Sequence, residues 1–194
     1  PLPPLSGADL DIIFQRLDRG SAGGGDGWTV AELQALPPLF YEQLAVLLME
    51  CEHAGHWPEP LRVAVVTLLP KEGATDWGGM RPITLLPLVY RAWCAARRPH
   101  VAAWVRGKGW DGAELPGQGA EDAAWQAAYA AEEAVAAGEC LAGAFLDCSK
   151  CYDRVVHTEL DERAQALDFP DHLLVLCLDM YGAPKHTRVT GAVS

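Results

Sequence analysis

Gly143-Ala-Phe-Leu-Asp147-Cys-Ser-Lys150-Cys-Tyr152-Asp153-Arg-Val-Val156 is the stretch whose reading decides the fold. The apolar run from Leu141 to Leu146 predicts a buried strand, and it stops on a carboxylate, Asp147. A polar turn follows, then Tyr152 and a second carboxylate, Asp153. A carboxylate at the end of a core strand is costly to bury unless a cation or a hydrogen-bond donor faces it. A hard divalent metal meets that need, prefers oxygen ligands and brings phosphates with it. A solvated Asp in a strand-to-helix turn is the alternative that these residues alone leave open.

The chain around this stretch has 194 residues, half of them hydrophobic, enough for one domain or a piece of a larger one with a sizeable core. No apolar run is long enough to span a bilayer. Pro1-Leu-Pro-Pro4 carries no secretory pattern, and without an initial Met the chain reads as an excerpt of an intracellular protein. The six cysteines do not read as a disulfide scaffold in so core-rich a chain. Cys148-Ser-Lys-Cys151 lacks the second pair a zinc site needs and the setting of a redox pair, so buried, inert thiols are expected.

The net charge of −11 argues against a general nucleic-acid binder. Its distribution is uneven. Between Leu61 and Trp110 stand Arg62, Lys71, Arg81, Arg91, Arg97, Arg98, Arg106 and Lys108, opposed only by Glu72 and Asp76, a net of +6. A local basic patch on an acidic chain suits phosphate contact at one place; Arg91, Arg97 and Arg98 also read as a charged helix face.

Within that patch, Leu61 to Pro70 is rich in β-formers and Arg81-Pro-Ile-Thr-Leu-Leu86 reads as a second strand, with Lys71 and a Gly78-Gly79 loop between them. A hairpin with Lys71 and Arg81 near its tip puts two cations on one arm. Lys acts there as a point charge and Arg as a fork.

The remaining segments predict mostly helices. Residues 8–19 show helical spacing, and Gly20 to Gly27 is a loop without a phosphate-binding fingerprint or an EF-hand register. Thr29-Val-Ala-Glu32 is a capping box. Leu39 to Ala54 is amphipathic and closed by Gly55. Pro87 to Val105 is helical, with Pro99 expected to kink or split it. Glu121 to Ala137 is an Ala-rich helix. A helix capped by Thr158 runs to about Leu167, another runs from His172 to Tyr181, and Thr187 to Ser194 alternates as a strand.

Taken in order, these motifs resemble reverse transcriptases of the non-LTR retrotransposon kind. Asp147-Cys-Ser-Lys150-Cys-Tyr152-Asp153-Arg-Val155 is similar to that family's first palm motif, Leu-Asp-x-x-Lys-Ala-Phe-Asp-x-Val, with Cys151 where Ala is usual. Leu69-Pro-Lys71, then Trp77-x-x-x-Arg81-Pro-Ile83, resembles its fingers motifs. Gly25-Asp26-Gly27-Trp28 resembles a turn ahead of the fingers, and Tyr90-Arg91 a Tyr-Lys pair. Gly117-Gln118-Gly119 resembles a Gln-x-Gly-Phe-Arg element, but Ala120-Glu121-Asp122 replaces the Phe and Arg.

The resemblance covers roughly residues 20 to 194. It implies an α+β fingers and partial palm of a right-hand polymerase, with helices packed on a small, mainly antiparallel sheet. Residues 1–60 would form a helical lead-in, 61–120 the fingers hairpin and following helices, and 121–194 the partial palm. It implies Asp147 as a metal ligand and Asp153 as its catalytic companion, with two Mg²⁺ ions in a complete site. Lys71, Arg81 and Lys150 would contact the incoming deoxynucleoside triphosphate. Tyr152 would sit under its sugar, and Gln118 would meet the template. An RNA template and a DNA primer are the implied partners.

No Asp-Asp pair occurs in the chain, so the expected unit is fingers and the first half of the palm, not competent by itself. Two other readings stand beside this one. An RNA-directed RNA polymerase palm also fits the spacing of Asp147 and Asp153, though Lys150 and Tyr152 favour DNA synthesis. A degenerate, non-catalytic remnant fits the lost Phe-Arg element and the acidic composition.

Overall fold

The computed structural model describes residues 2–73, 76–109, 119–144, 146 and 154–188. Among these the chain forms seven α-helices and one three-stranded mixed sheet, an α+β arrangement. Two compact units divide it: residues up to Arg97 together with those from Asp161 onward, and Arg98–Leu160.

The first unit begins with three helices whose ends are fixed locally. The Ser6 hydroxyl accepts from the Asp9 amide at 3.1 Å and starts α1 (Gly7–Gln15). The expected capping box is present at α2 (Val30–Gln34). The Glu32 amide donates to Thr29 Oγ1, and the Thr29 amide donates to Glu32 Oε2 at 2.9 Å. Pro38 opens α3 (Pro38–Ala54) at a position where its missing N–H costs nothing. Gly55 closes it in the left-handed region, with its amide on the Cys51 carbonyl. The apolar stripes of α1 and α3 meet through Phe14 and Tyr41, whose rings stack at 5.7 Å. Burial of each such side chain stabilises by about 1.5–3 kcal/mol.

The sheet has the order β2-β1-β3. Strands β1 (Ala64–Pro70) and β2 (Met80–Leu85) pair antiparallel from Val65↔Leu85 to Pro70↔Met80, so the hairpin expected from the sequence is present. Strand β3 (Lys185–Arg188) pairs parallel with β1 from Ala64↔Lys185 to Thr67↔Arg188. The sheet is therefore mixed rather than mainly antiparallel. β3 arrives through a long helical connection, which is what a parallel pairing requires.

Helix α4 (Leu88–Gly107) follows β2 and runs through Pro99 without a break. Of the kink or split expected at Pro99, the split is absent, since one proline removes only one ladder bond in a 20-residue helix. The boundary between the two units nevertheless falls beside it. Helix α5 (Ala120–Ala137) buries none of its side chains; Trp125 and Tyr129 are both exposed. Helix α6 (His157–Ala166) starts one residue before Thr158, so Thr158 sits in the first turn and is not the cap. Helix α7 (Asp171–Tyr181) completes the first unit.

The strand expected from Leu141 to Leu146 does not form among its described residues. Residues 141–144 and 146 are exposed coil, Leu146 being 91 % exposed. An apolar run needs a ladder partner to become a strand, and none of the three described strands pairs with it.

Buried polar links tie the helices of the first unit together. Trp57 packs edge-on against Tyr90 and Trp93, each at 5.4 Å. Its indole N–H donates to the Leu176 carbonyl, and its backbone amide to Asp179 Oδ2. Glu52 on α3 takes both prongs of the Arg97 guanidinium at 2.6 Å and the Trp93 indole N–H at 2.7 Å. The third guanidinium nitrogen donates to the Pro3 carbonyl. With Arg97 almost wholly buried, removing one partner strands a charge. Arg97→Ala is expected to lower the unfolding free energy by about 3–5 kcal/mol in urea titration; a loss under about 1 kcal/mol, typical of surface pairs, would contradict this assignment.

Candidate functional site

Alternation along the hairpin decides where its two cations lie. Leu69 faces Arg81 across the ladder, and the Lys71 amide donates to the Gly79 carbonyl at 2.9 Å, extending the pairing one residue beyond β1. Lys71 is two residues on from Leu69, so it shares a face with Leu69 and Arg81. The two cationic positions are diagonal neighbours, about 7–8 Å apart and within reach of long side chains. Both residues are exposed, and neither is paired with a carboxylate among the described residues. Asp76 in the turn accepts from the Gly79 amide at 3.0 Å. The same face carries Leu69 and Ile83, each more than 40 % exposed.

The rest of the basic segment has other work. Arg62 pairs with Asp179 at 3.1 Å, Arg91 donates to the Ala22 carbonyl at 3.0 Å, and Arg97 is buried on Glu52. All three are engaged within the fold, and Arg97 is buried. In the second unit, Lys108 lies 5.7 Å from the Trp104 ring centroid. Arg98 and Arg106 are exposed there.

The palm residues expected from the sequence, Asp147, Lys150, Tyr152 and Asp153, lie outside the described residues, as does Gln118. Among the described residues no cluster of three or more His, Cys, Asp or Glu side chains could hold a metal ion. The carboxylates expected to bind Mg²⁺ are not among those residues. No helix of the described residues is long and apolar enough to cross a membrane.

The thiols that are described match the expectation of buried cysteine in part. Burial raises the Cys51 thiol, and it pushes Cys94 up to about 12. Burial likewise raises Cys177, which shares the Tyr90 hydroxyl with Cys94. Cys140 is exposed.

Asp26 is a site that reading the sequence reduced to a turn residue. Gly24-Gly25-Asp26-Gly27 forms a tight turn, with the Gly27 amide on the Gly24 carbonyl. Both Asp26 carboxylate oxygens are buried, and neither makes a well-formed hydrogen bond. Burial raises its pKa above the ordinary range. The backbone amides of Asp26, Trp28 and Leu88 and the Arg91 guanidinium favour the charged form but do not offset the desolvation. The only sequence signal was an acid flanked by glycines, which places the backbone and not the carboxylate.

A raised carboxyl makes the folded state hold its proton more tightly than the unfolded state does. Asp26 therefore costs stability above its folded pKa, and the cost disappears as pH falls below the unfolded value of about 3.9. Asp26→Asn is expected to melt higher than the wild type at pH 7, with the advantage shrinking toward pH 4; the same difference at both pH values would contradict the shift. No protein-family model matches the chain, and no curated protein matches it.

Proposed function

We propose that this chain is the fingers and first part of the palm of an RNA-directed DNA polymerase of the non-LTR retroelement type. In this reading the β1–β2 hairpin holds the phosphates of the incoming deoxynucleoside triphosphate. The observation that carries it is the register of the hairpin, which sets Lys71 and Arg81 on one face as diagonal neighbours, without carboxylate partners among the described residues. The order of motifs supports it: Leu69-Pro-Lys71, Trp77-x-x-x-Arg81-Pro-Ile83 and the Asp147–Val155 segment follow one another as in that family.

Each hairpin cation has a separate task. The Lys71 ammonium neutralises charge from any direction, while the Arg81 fork fixes the orientation of one phosphate through paired N–H donors. Chemistry of this class relies on position and charge compensation more than on covalent steps by the protein. Asp147 is proposed to hold Mg²⁺, which would supply further neutralisation of the phosphates, with Asp153 as its catalytic companion. Tyr152 is proposed to close the sugar pocket against a 2′-hydroxyl, Lys150 to add a phosphate contact, and Gln118 to touch the template strand. RNA template and DNA primer complete the assembly.

Binding of tripolyphosphate and of a deoxynucleoside triphosphate with Mg²⁺, followed by calorimetry, tests this. Lys71→Ala and Arg81→Ala are each expected to weaken binding about tenfold, one charge-assisted contact of about 1.4 kcal/mol. Thermal stability should stay within about 0.5 kcal/mol, as for other exposed positions. Parallel loss of stability and affinity would remove the assigned role. No binding by the wild type would favour the non-catalytic remnant.

A further inference from the structure

The Gly20–Gly27 loop is in contact with both roots of the hairpin. A Cβ on Gly24 would stand 2.5 Å from the Leu86 carbonyl oxygen and 2.6 Å from Pro87 Cα, just past the end of β2. A Cβ on Gly25 would stand 2.8 Å from a methyl of Val63, just before β1 begins. The loop backbone is thus wedged against the residues that enter and leave the hairpin, and only glycine allows the approach.

One hydrogen bond fastens the loop to α4: Arg91 donates to the Ala22 carbonyl at 3.0 Å. The Asp26 carboxylate is enclosed beside the Leu88 amide and the Arg91 guanidinium at a cost to stability. A pocket of about 370 Å³ adjoins the loop, lined by Ser21, Ala22, Thr84, Leu85, Leu86 and Arg91.

We infer that the Gly20–Gly27 loop is the element that positions the hairpin, with Gly24 and Arg91 as positioning residues for the cations at its tip. Leverage gives the contact its consequence. β3 holds β1 from Ala64 to Thr67, so the free arm runs from Leu68 to Lys71; four residues at about 3.3 Å each make about 13 Å, and a tilt of about 10° carries the tip about 2 Å. A displacement of about 1 Å already costs heavily where groups must be aligned. That the cations serve a polyphosphate rests on the function proposed above; that the loop sets the hairpin does not.

Two readouts on the whole chain test the inference and separate it from that function. The first is amide hydrogen exchange. Gly24→Ala is expected to speed exchange in β1 and β2 at least about tenfold while leaving α1 and α3 unchanged, since local opening is read segment by segment. Arg91→Lys keeps a charge beside Asp26 but loses the guanidinium donor to Ala22, and should act in the same direction more weakly. The second readout is tripolyphosphate affinity, expected to fall about tenfold in Gly24→Ala, a change of about 1.4 kcal/mol. Unchanged exchange in the hairpin, or an equal rise in α1 and α3, overturns the positioning role. If the wild type holds no tripolyphosphate, the Lys71 and Arg81 assignment fails and exchange alone decides for the loop.

Discussion

A slip of one residue in the pairing of β1 with β2 would carry Arg81 to the opposite face of the hairpin from Lys71. The role proposed for Lys71 and Arg81 depends on that register. It is fixed by continuous pairing from Val65↔Leu85 to Pro70↔Met80 and by the bond from the Lys71 amide to Gly79 at the tip. The parallel partner β3 holds β1 from its other side. Pro82 sits on β2, which has no second strand beside it among the described residues, so its missing donor interrupts no further ladder there.

Beneath the sheet, the core is organised by a few polar anchors set in apolar surroundings. Glu52 gathers Trp93 and Arg97, and Asp179 gathers Trp57 and Arg62. Each carboxylate receives donors from residues distant in sequence, which gives a direction to contacts that hydrophobic burial alone would leave unspecific. The cost of desolvating these charges is offset by the donors that surround them. Asp26 differs: its carboxylate is enclosed without a well-formed donor, and the protein carries that cost at the root of the hairpin.

What the sequence made legible was local. The capping box at Thr29, the left-handed stop at Gly55 and the two β-rich runs flanking Gly78-Gly79 each encode their structure within a few residues. What it concealed depended on partners far along the chain. Counting charges grouped Arg62 with the phosphate-binding candidates and left Arg91 and Arg97 between that role and a charged helix face. Only the folded chain shows Asp179, the Ala22 carbonyl and Glu52 engaging them. The run from Leu141 to Leu146 had a strand's composition but no neighbour to pair with among the described residues. Asp147 and its companions lie outside those residues, so the palm half of the reading still rests on sequence.

The most direct test of the central claim maps where a nucleotide touches the chain. Amide chemical shifts would be followed while a deoxynucleoside triphosphate with Mg²⁺ is titrated into the whole chain. The account predicts that the largest shifts fall at Leu69, Lys71, Gly79 and Arg81 around the hairpin tip. Shifts centred instead on Arg98 and Arg106 of α4, with the hairpin unmoved, would contradict it.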